Sequence, residues 1–561
     1  MKKLLVLLIS GLMLTSISNA QKDDNPNLQR EPYGTFDFQK NYTGNIDFYA
    51  TNYGFNFCDI PNARGGLFWP RGTQNQYIFS SGFWFGAKKR NPANLSEYNK
   101  LVLISYNPNT GRGWFVPGRI EDGDTLREDL TNKYRTYFGS DFIKESGVPF
   151  KTEDGPNWPL WIANGELKYE GGTYKNDYIH NVSDRNPANR PNGPLFVSDD
   201  DIVSTFKDTD MKYYEGGVSK RTEQGYPLKI QTTSSIYTWG SGELEDIMII
   251  NYLLENKSSD TLIDCWFGSI NDIDIGIYDQ QQQMINDRQR YFDKDSTAQL
   301  AVGWTNTDKG ELGMGFGYIG FSLLETPAVD INGNIRTDKL IYLQNEQLGL
   351  RTCSNWSIEV DPKEDDDRYN YISRGIKEGD TGPGDKRSLL STGPFNMLPN
   401  SKARIAVLIA FAMPAKGDEA DGSDEDMGWL PGKVKNGDLP ELQSVPNSLI
   451  DKILSTRKRY YDNMILTVRN NEPSNYNTLV YPNPTDNILT YEYSLEQSQK
   501  IRISLIDEMG KEIGEVFSGV KQEGNYHHFI DLGQYHLSNG VYFIKLQSSN
   551  DISIKKFVVM K

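Results

Sequence analysis

Histidine is scarce in this chain of 561 residues: His180, His527, His528 and His536 are the whole supply. Three of them stand near the C-terminus, which leaves His180 alone for everything before. A Ser-His-Asp or Cys-His arrangement would have to run through that one residue. Its setting, Tyr178-Ile179-His180-Asn181, reads as a surface loop. Neither HExxH nor CxxC occurs, so zinc chemistry of the His- or Cys-rich kind lacks its ligands. The 3 cysteines, Cys58, Cys265 and Cys353, are an odd number and exclude a closed disulfide framework. One bridge between Cys265 and Cys353 stays open beside the reading of buried, unpaired thiols. Positive charge is in deficit, with 59 Lys and Arg against 75 Asp and Glu, a net charge of -16 and a pI near 4.9. That balance argues against nucleic acid or an anionic membrane as partner. Beyond the first residues, no stretch approaches the roughly 18 apolar residues of a transmembrane helix.

Aromatics and glycine are what the chain has in quantity: Tyr 32, Phe 25, Trp 10 and Gly 51. With few helix-periodic stretches, they predict an all-β protein rich in turns. Met1-Lys2-Lys3, the apolar Leu4 to Met13 and Ser18-Asn19-Ala20 have the pattern of a secretory signal peptide over 1–20. Residues 21–196 read as an aromatic-rich β domain, with helix-tolerant composition only from Thr125 to Phe142. Residues 197–414 read as a β-sandwich domain. In it, Asp246–Asn256 and Thr261–Gly268 predict a long hairpin, and Arg404–Ala412 a central strand. Residues 415–477 combine a flexible acidic loop from Asp418 to Asp426 with an amphipathic helix near 446–465. Leu449, Ile450, Ile453, Leu454, Tyr461 and Met464 mark the buried stripe of that helix.

The segment 478–561 is organised differently. Tyr481-Pro482-Asn483-Pro484 cannot be helical, because each proline fixes its own φ and pushes its predecessor to extended geometry. Leu489, Tyr491 and Tyr493 alternate with polar residues, as do Ile501, Ile503 and Leu505. Gly510 supplies a turn, Gly540 and Tyr542 open a further strand that runs through Lys545, and a basic, apolar strand ends the chain. Six or seven short strands predict a small Greek-key sandwich. On these residues the segment resembles the type A C-terminal sorting domain of the type IX secretion system of Bacteroidetes and related phyla. The resemblance implies an outer-membrane translocon and its sorting peptidase as partners. It also implies secretion or outer-membrane surface display after Sec export through the periplasm.

Candidate chemistry before the tail is thin. Asp272 and Asp274, two apart on a strand, project to one face, and Asn286-Asp287 and Asp293-x-Asp295 follow closely. Clustered hard oxygens of this kind suit calcium better than acid-base work, so calcium is the one cofactor with candidate ligands. A catalytic carboxylate pair is the weaker reading. Asp365-Asp366-Asp367 reads as solvated, and Asp330-Ile331-Asn332-Gly333-Asn334 as a hairpin turn. Trp84, Trp114, Trp158, Trp161 and Trp239 are the residues to test for a glycan-stacking face, against the reading that strand aromatics form core. The cargo residues Trp239–Asp274 and Ser391–Phe395 resemble extracellular β-sandwich proteins of no assigned activity that carry the same tail. Together these features predict an exported protein of non-catalytic binding or structural role. The alternative is a calcium-assisted glycan-binding protein and, behind it, a carboxylate-based polysaccharide hydrolase or lyase.

Overall fold

The computed structural model describes residues 38–560 except 42, 61, 108–112, 121–133, 140–149, 152–157, 159, 164–165, 170–177, 180–192, 195–196, 281–282, 306–309, 312–314, 339–341, 418, 431–442, 462–477, 484, 496, 508–510 and 549–551. The signal-peptide reading, His180, Pro484 and Gly510 therefore lie outside the described residues. So does the first part of the helix expected over Thr125–Phe142; the end of that stretch is a strand, Tyr137–Phe138. The chain divides into two units, residues 1–457 and 458–561. Among the described residues no helix is long and apolar enough to cross a membrane.

The first unit is built on two large antiparallel sheets. One runs Phe38–Lys40, Asp47–Thr51, Leu67–Phe68, Asn75–Asn91, Leu262–Ile277, Lys386–Met397, Thr352–Ser357, with Asn94–Ile104 beside Asn75–Asn91. The other runs Asp287–Tyr291, Leu300–Thr305, Tyr318–Glu325, Lys402–Ala412, Ile247–Asn256, Ile230–Thr238, Asp200–Lys207, Val116–Pro117. Each sheet draws strands from both sides of residue 197, so the expected boundary there does not exist. A composition shift marked it, but pairing over long sequence separations overrides composition.

The sheets face one another through aromatic rings. Phe83 and Tyr252 are 5.0 Å apart, Phe267 and Tyr252 5.4 Å, and Trp69 stacks on Phe411 at 5.6 Å. Their outer faces are also covered, which is why the central strands are apolar along their whole length. Asp365–Ile372 is a helix laid on the first sheet at two glycines. A Cβ at Gly86 would stand 2.4 Å from Ile372, and one at Gly268 2.7 Å from Leu389. Leu449–Arg459 is a helix on the second sheet, with Leu449 and Ile453 over Gly320. Ser448 caps it, accepting the Asp451 N–H at 3.2 Å, while Asp451 accepts the Asn447 N–H at 2.9 Å. Leu449, Ile450, Ile453 and Leu454 of the predicted stripe are buried in it, each contributing roughly 1.5–3 kcal/mol, while Tyr461 follows the helix and Met464 lies outside the described residues.

The expected hairpin is instead an arch. Ile247–Asn256 and Leu262–Ile277 belong to different sheets, and residues 257–261 cross between them. Residues 398–401 cross beside them, and the Asn256 amide fastens the two crossings, donating to Asp260 O at 2.8 Å and Met397 O at 3.0 Å. The turn signal was real, but strands apolar on both faces carry no information about which sheet receives them.

The second unit is a small sandwich. One sheet holds Thr478–Tyr481, Ile488–Leu495 and Gly524–Asp531; the other holds Glu512–Lys521, Gln499–Asp507, Gly540–Ser548 and Ile552–Val559. Leu489, Tyr491, Tyr493, Ile501, Ile503 and Leu505 fill its core, as the alternation requires.

Candidate functional site

Asp272 and Asp274 do share a face of the Leu262–Ile277 strand, and both are buried. With Asp385 their carboxylate oxygens lie within 4.8 Å of one another. Directly across from Asp272 on the neighbouring strand stands Arg387, and across from Arg387 stands Trp356. The Arg387 guanidinium pairs with Asp272, reaches Asp361 at 3.3 Å and lies 3.9 Å from Asp385. Tyr106 donates to Asp272 at 2.9 Å, and the Trp356 indole donates to Asp361 at 2.7 Å.

The Arg387 side chain is 1% exposed. Burial disfavours its charge, but Asp272, Tyr106, Asp361 and Asp385 more than offset that and hold its pKa above the ordinary value. Burial raises the Asp361 carboxyl, with Arg387 opposing. Burial and the Asp272 charge together push the Tyr106 hydroxyl well up. Asp272 and Asp361 of this cluster thus already have a protein side chain as their cation. Calcium takes six to eight oxygens, whereas here a guanidinium already occupies the faces that Asp272 and Asp361 present. Chemically the cluster is a closed ion-pair network. The sequence signal that could have exposed it is the basic pair Lys386-Arg387 at the head of an otherwise apolar strand.

The tryptophans divide in the same way. Trp84 is 1% exposed, Trp114 and Trp158 are also buried, and none of the three presents a face to a sugar. Trp84 lies 6.1 Å from Trp356 at the edge of the ion network. Trp114 stacks on Tyr214 at 4.4 Å and receives Arg221 at 4.6 Å. Trp239 is half-buried just beyond the Ile230–Thr238 strand. Trp161 stands in the strand Leu160–Ala163, and its side chain is outside the described residues.

In each of two acidic runs read as solvated one carboxylate is buried, while Asp366 and Asp367 are exposed and Asp418 lies outside the described residues. Asp365 opens the helix Asp365–Ile372 and is buried against Arg221 at 2.9 Å and the Tyr226 hydroxyl at 3.0 Å. Carboxylates in a first helical turn also complement the helix dipole. Asp426 is buried, bonded to the Tyr318 hydroxyl, and accepts the Lys416 N–H at 3.1 Å. Asp424 pairs with Arg290 at 2.5 Å. The reading of Asp330–Asn334 as a turn matches the structure: Asp330 accepts from Asn332 N–H at 2.8 Å and Asn334 N–H at 2.9 Å. The three cysteines are free, with Cys265 and Cys353 buried.

In the second unit the Tyr-Pro-Asn-Pro stretch acts as a clasp on the last strand. Asn483 accepts the Val558 N–H at 2.8 Å and donates to Lys556 O at 3.2 Å. Thr485 continues the ladder, its N–H on Val558 O and its carbonyl receiving the Met560 N–H, both at 2.8 Å. Tyr481 bonds Glu492 on the adjacent strand. Gly540 opens the penultimate strand, and the Tyr542 hydroxyl donates to Ser538 O at 3.1 Å while its ring meets Phe557 at 5.9 Å. Lys545 sits opposite Ile554. Ile488 and Phe529, the latter 79% exposed, leave an apolar area on the outer face.

The model of the family described as secretion system C-terminal sorting domain matches residues 479–560. No curated protein matches the chain in sequence. A solved polysaccharide lyase is similar at 8% identity and a TM-score of 0.17, covering 86% of this chain and 47% of its own. A Faecalibacterium prausnitzii beta-glucuronidase is similar at 12% identity and a TM-score of 0.12, covering 50% of this chain and 46% of its own. The adhesin domain of Epf from Streptococcus pyogenes is similar at 11% identity and a TM-score of 0.11, covering 56% of this chain and 79% of its own. The chain thus spans about half the length of the first two. At these TM-scores none of the three bears on its chemistry. The tail match does: the chain carries a type IX sorting domain and is a cargo of that export machinery.

Proposed function

We propose that residues 21–457 are a non-catalytic, structural or binding protein displayed at the cell surface or released. The basic and apolar start of the chain takes it through Sec, and the tail takes it across the outer membrane. The observation that carries this reading is the seat of Arg387 among Asp272, Asp361 and Asp385. In the acidic cluster best suited to a metal or to acid-base work, Asp272 is buried and already paired with a side chain of the protein itself. A carboxylate held in a closed ion pair has neither the access nor the free lone pairs that general acid-base work requires.

The test is a melting curve of the purified protein with calcium and with a chelator, beside a polysaccharide array and turnover assays on any hit. Unchanged melting and no turnover are expected. Calcium-dependent melting that disappears in Asp274→Asn, or cleavage of any array glycan, would overturn the reading.

A further inference from the structure

Lys386 and Asn355 stand on neighbouring strands of the first sheet, Lys386 opposite Ser357 and Asn355 opposite Ser388. A two-residue offset keeps them on one face as diagonal neighbours. Ile273, directly opposite Lys386, reaches Gly303 of the other sheet, so this face is the one between the sheets. Lys386 is 4% and Asn355 5% exposed. A buried lysine is ordinarily paired with a carboxylate. This one donates instead to two neutral oxygens, Asn355 Oδ1 at 3.3 Å and Thr381 Oγ1 at 2.5 Å.

The carboxamide is held from the other sides. Its nitrogen donates to Gly379 O at 3.2 Å, and its oxygen also accepts from Thr381 Oγ1 at 2.5 Å. Glu378 accepts the backbone N–H of Asn355 at 2.8 Å, which places a carboxylate beside the pair. Burial lowers the Lys386 pKa, with the charges of Asp380, Glu378 and Asp287 opposing and that of Arg288 adding to it. A fixed amine, a fixed and polarised amide and an adjacent carboxylate are the parts that amide exchange needs.

We propose that Lys386 and Asn355 are the two ends of an intramolecular isopeptide bond that forms after folding. The neutral Lys386 Nζ adds to Asn355 Cγ, and the new C–N bond replaces the bond to the side-chain amide nitrogen. Glu378 carries a proton from the attacking amine to the departing nitrogen, which leaves as ammonia. Nothing is oxidised or reduced, and no further reactant takes part. The product ties the edge strand Thr352–Ser357 covalently to its neighbour, a cross-link suited to a protein that must hold its shape outside the cell.

The deciding measurement is tryptic mass spectrometry of the purified, folded protein. The expected result is one branched peptide, Thr352–Lys363 joined to Glu378–Arg387, lighter than the sum of its parts by one ammonia, about 17 Da. Lys386→Arg and Asn355→Ala should each abolish it, and Glu378→Gln should slow its appearance in freshly folded protein. Since the bond forms only in the fold, each variant is scored on material whose melting shows that it is folded, and the wild-type peptide map decides the proposal by itself. Separate Thr352–Lys363 and Glu378–Lys386 peptides from folded wild-type protein, with no branched species, would overturn the proposal.

Discussion

The two units bury their strands by different rules. In the tail, Leu489, Tyr491, Tyr493 and Leu495 point inward while Ile488 and Phe529 face solvent, so each strand has one covered side. In the cargo, the strand Leu262–Ile277 is covered on both sides along nearly its whole length, and charge is buried with it. A one-sided strand needs only apolar alternation. A two-sided strand must bring a partner for each polar group it buries. The difference predicts where substitutions are costly.

The largest effect belongs to Arg387. Removing it leaves Asp272, Asp361 and Asp385 buried without their cation, and breaking a buried pair from one side costs roughly 3–5 kcal/mol. Arg387→Met should therefore lower the unfolding free energy read from urea denaturation by that amount. Pairing it with Asp272→Asn should return a substantial part, since the two residues are coupled. In the tail, Arg502 pairs with Glu512 and Glu515 in the open. Arg502→Met should change stability by no more than about 1 kcal/mol. Equal costs at the two sites would end the comparison.

The second effect tests the covered outer face. Gly86→Ala would set its methyl 2.4 Å from Ile372, and overpacking of this kind costs roughly 1–3 kcal/mol. Ile372→Val in the same chain should recover part of the loss. At Gly540 the nearest atom to an added Cβ is 3.7 Å away, so Gly540→Ala should be close to neutral.

The third is a loss of stability with rising pH that the cargo should show. Asp201 and Asp208 are buried, and burial raises their carboxyls to about 7 and about 6 against backbone and side-chain hydrogen bonds that lower them. A raised acid favours the protonated fold, while the unfolded chain ionises near 3.8. Stability from these groups is complete below that value and is lost as pH rises through 6 and 7. Between about pH 6 and pH 8 the cargo should lose roughly 1–2 kcal/mol. Asp201→Asn should flatten most of that slope in a denaturation series. A slope unchanged in the variant would mean that the charge lies elsewhere.

This contrast also explains what could be read in advance. The tail was legible down to its strands, because period-two alternation and proline geometry act locally. The helix over Leu449, Ile450 and Ile453 was legible for the same reason. The relation of Asp272 to Asp274 followed from strand geometry, but the cation paired with Asp272 did not. Arg387 lies 115 residues away and arrives through strand register. The arch at residues 257–261 and the burial of Trp84 were hidden likewise, since an aromatic on a doubly covered strand looks the same as one on an exposed face. Asp365 and Asp426 looked solvated because their partners, Arg221 and Tyr318, come from distant segments.

The smallest effect concerns Asn483. Its side chain stands in for a strand edge, supplying one acceptor and one donor to the backbone of the last strand at Val558 and Lys556. Both bonds are exposed, so water replaces them when they are lost, and their net contribution lies at the low end for a hydrogen bond, about 0.5 kcal/mol. Asn483→Ala should therefore leave the global melting of the tail almost unchanged. Amide exchange at Val558, whose proton it holds, should rise by roughly a factor of ten, while Met560, held by the Thr485 carbonyl, should keep its rate. Thr485 keeps its two backbone bonds in the variant, so the strand should fray only beyond its middle. If Val558 exchanges at the wild-type rate in Asn483→Ala, the Tyr-Pro-Asn-Pro stretch is not a clasp. Its asparagine would then serve the export machinery by direct contact.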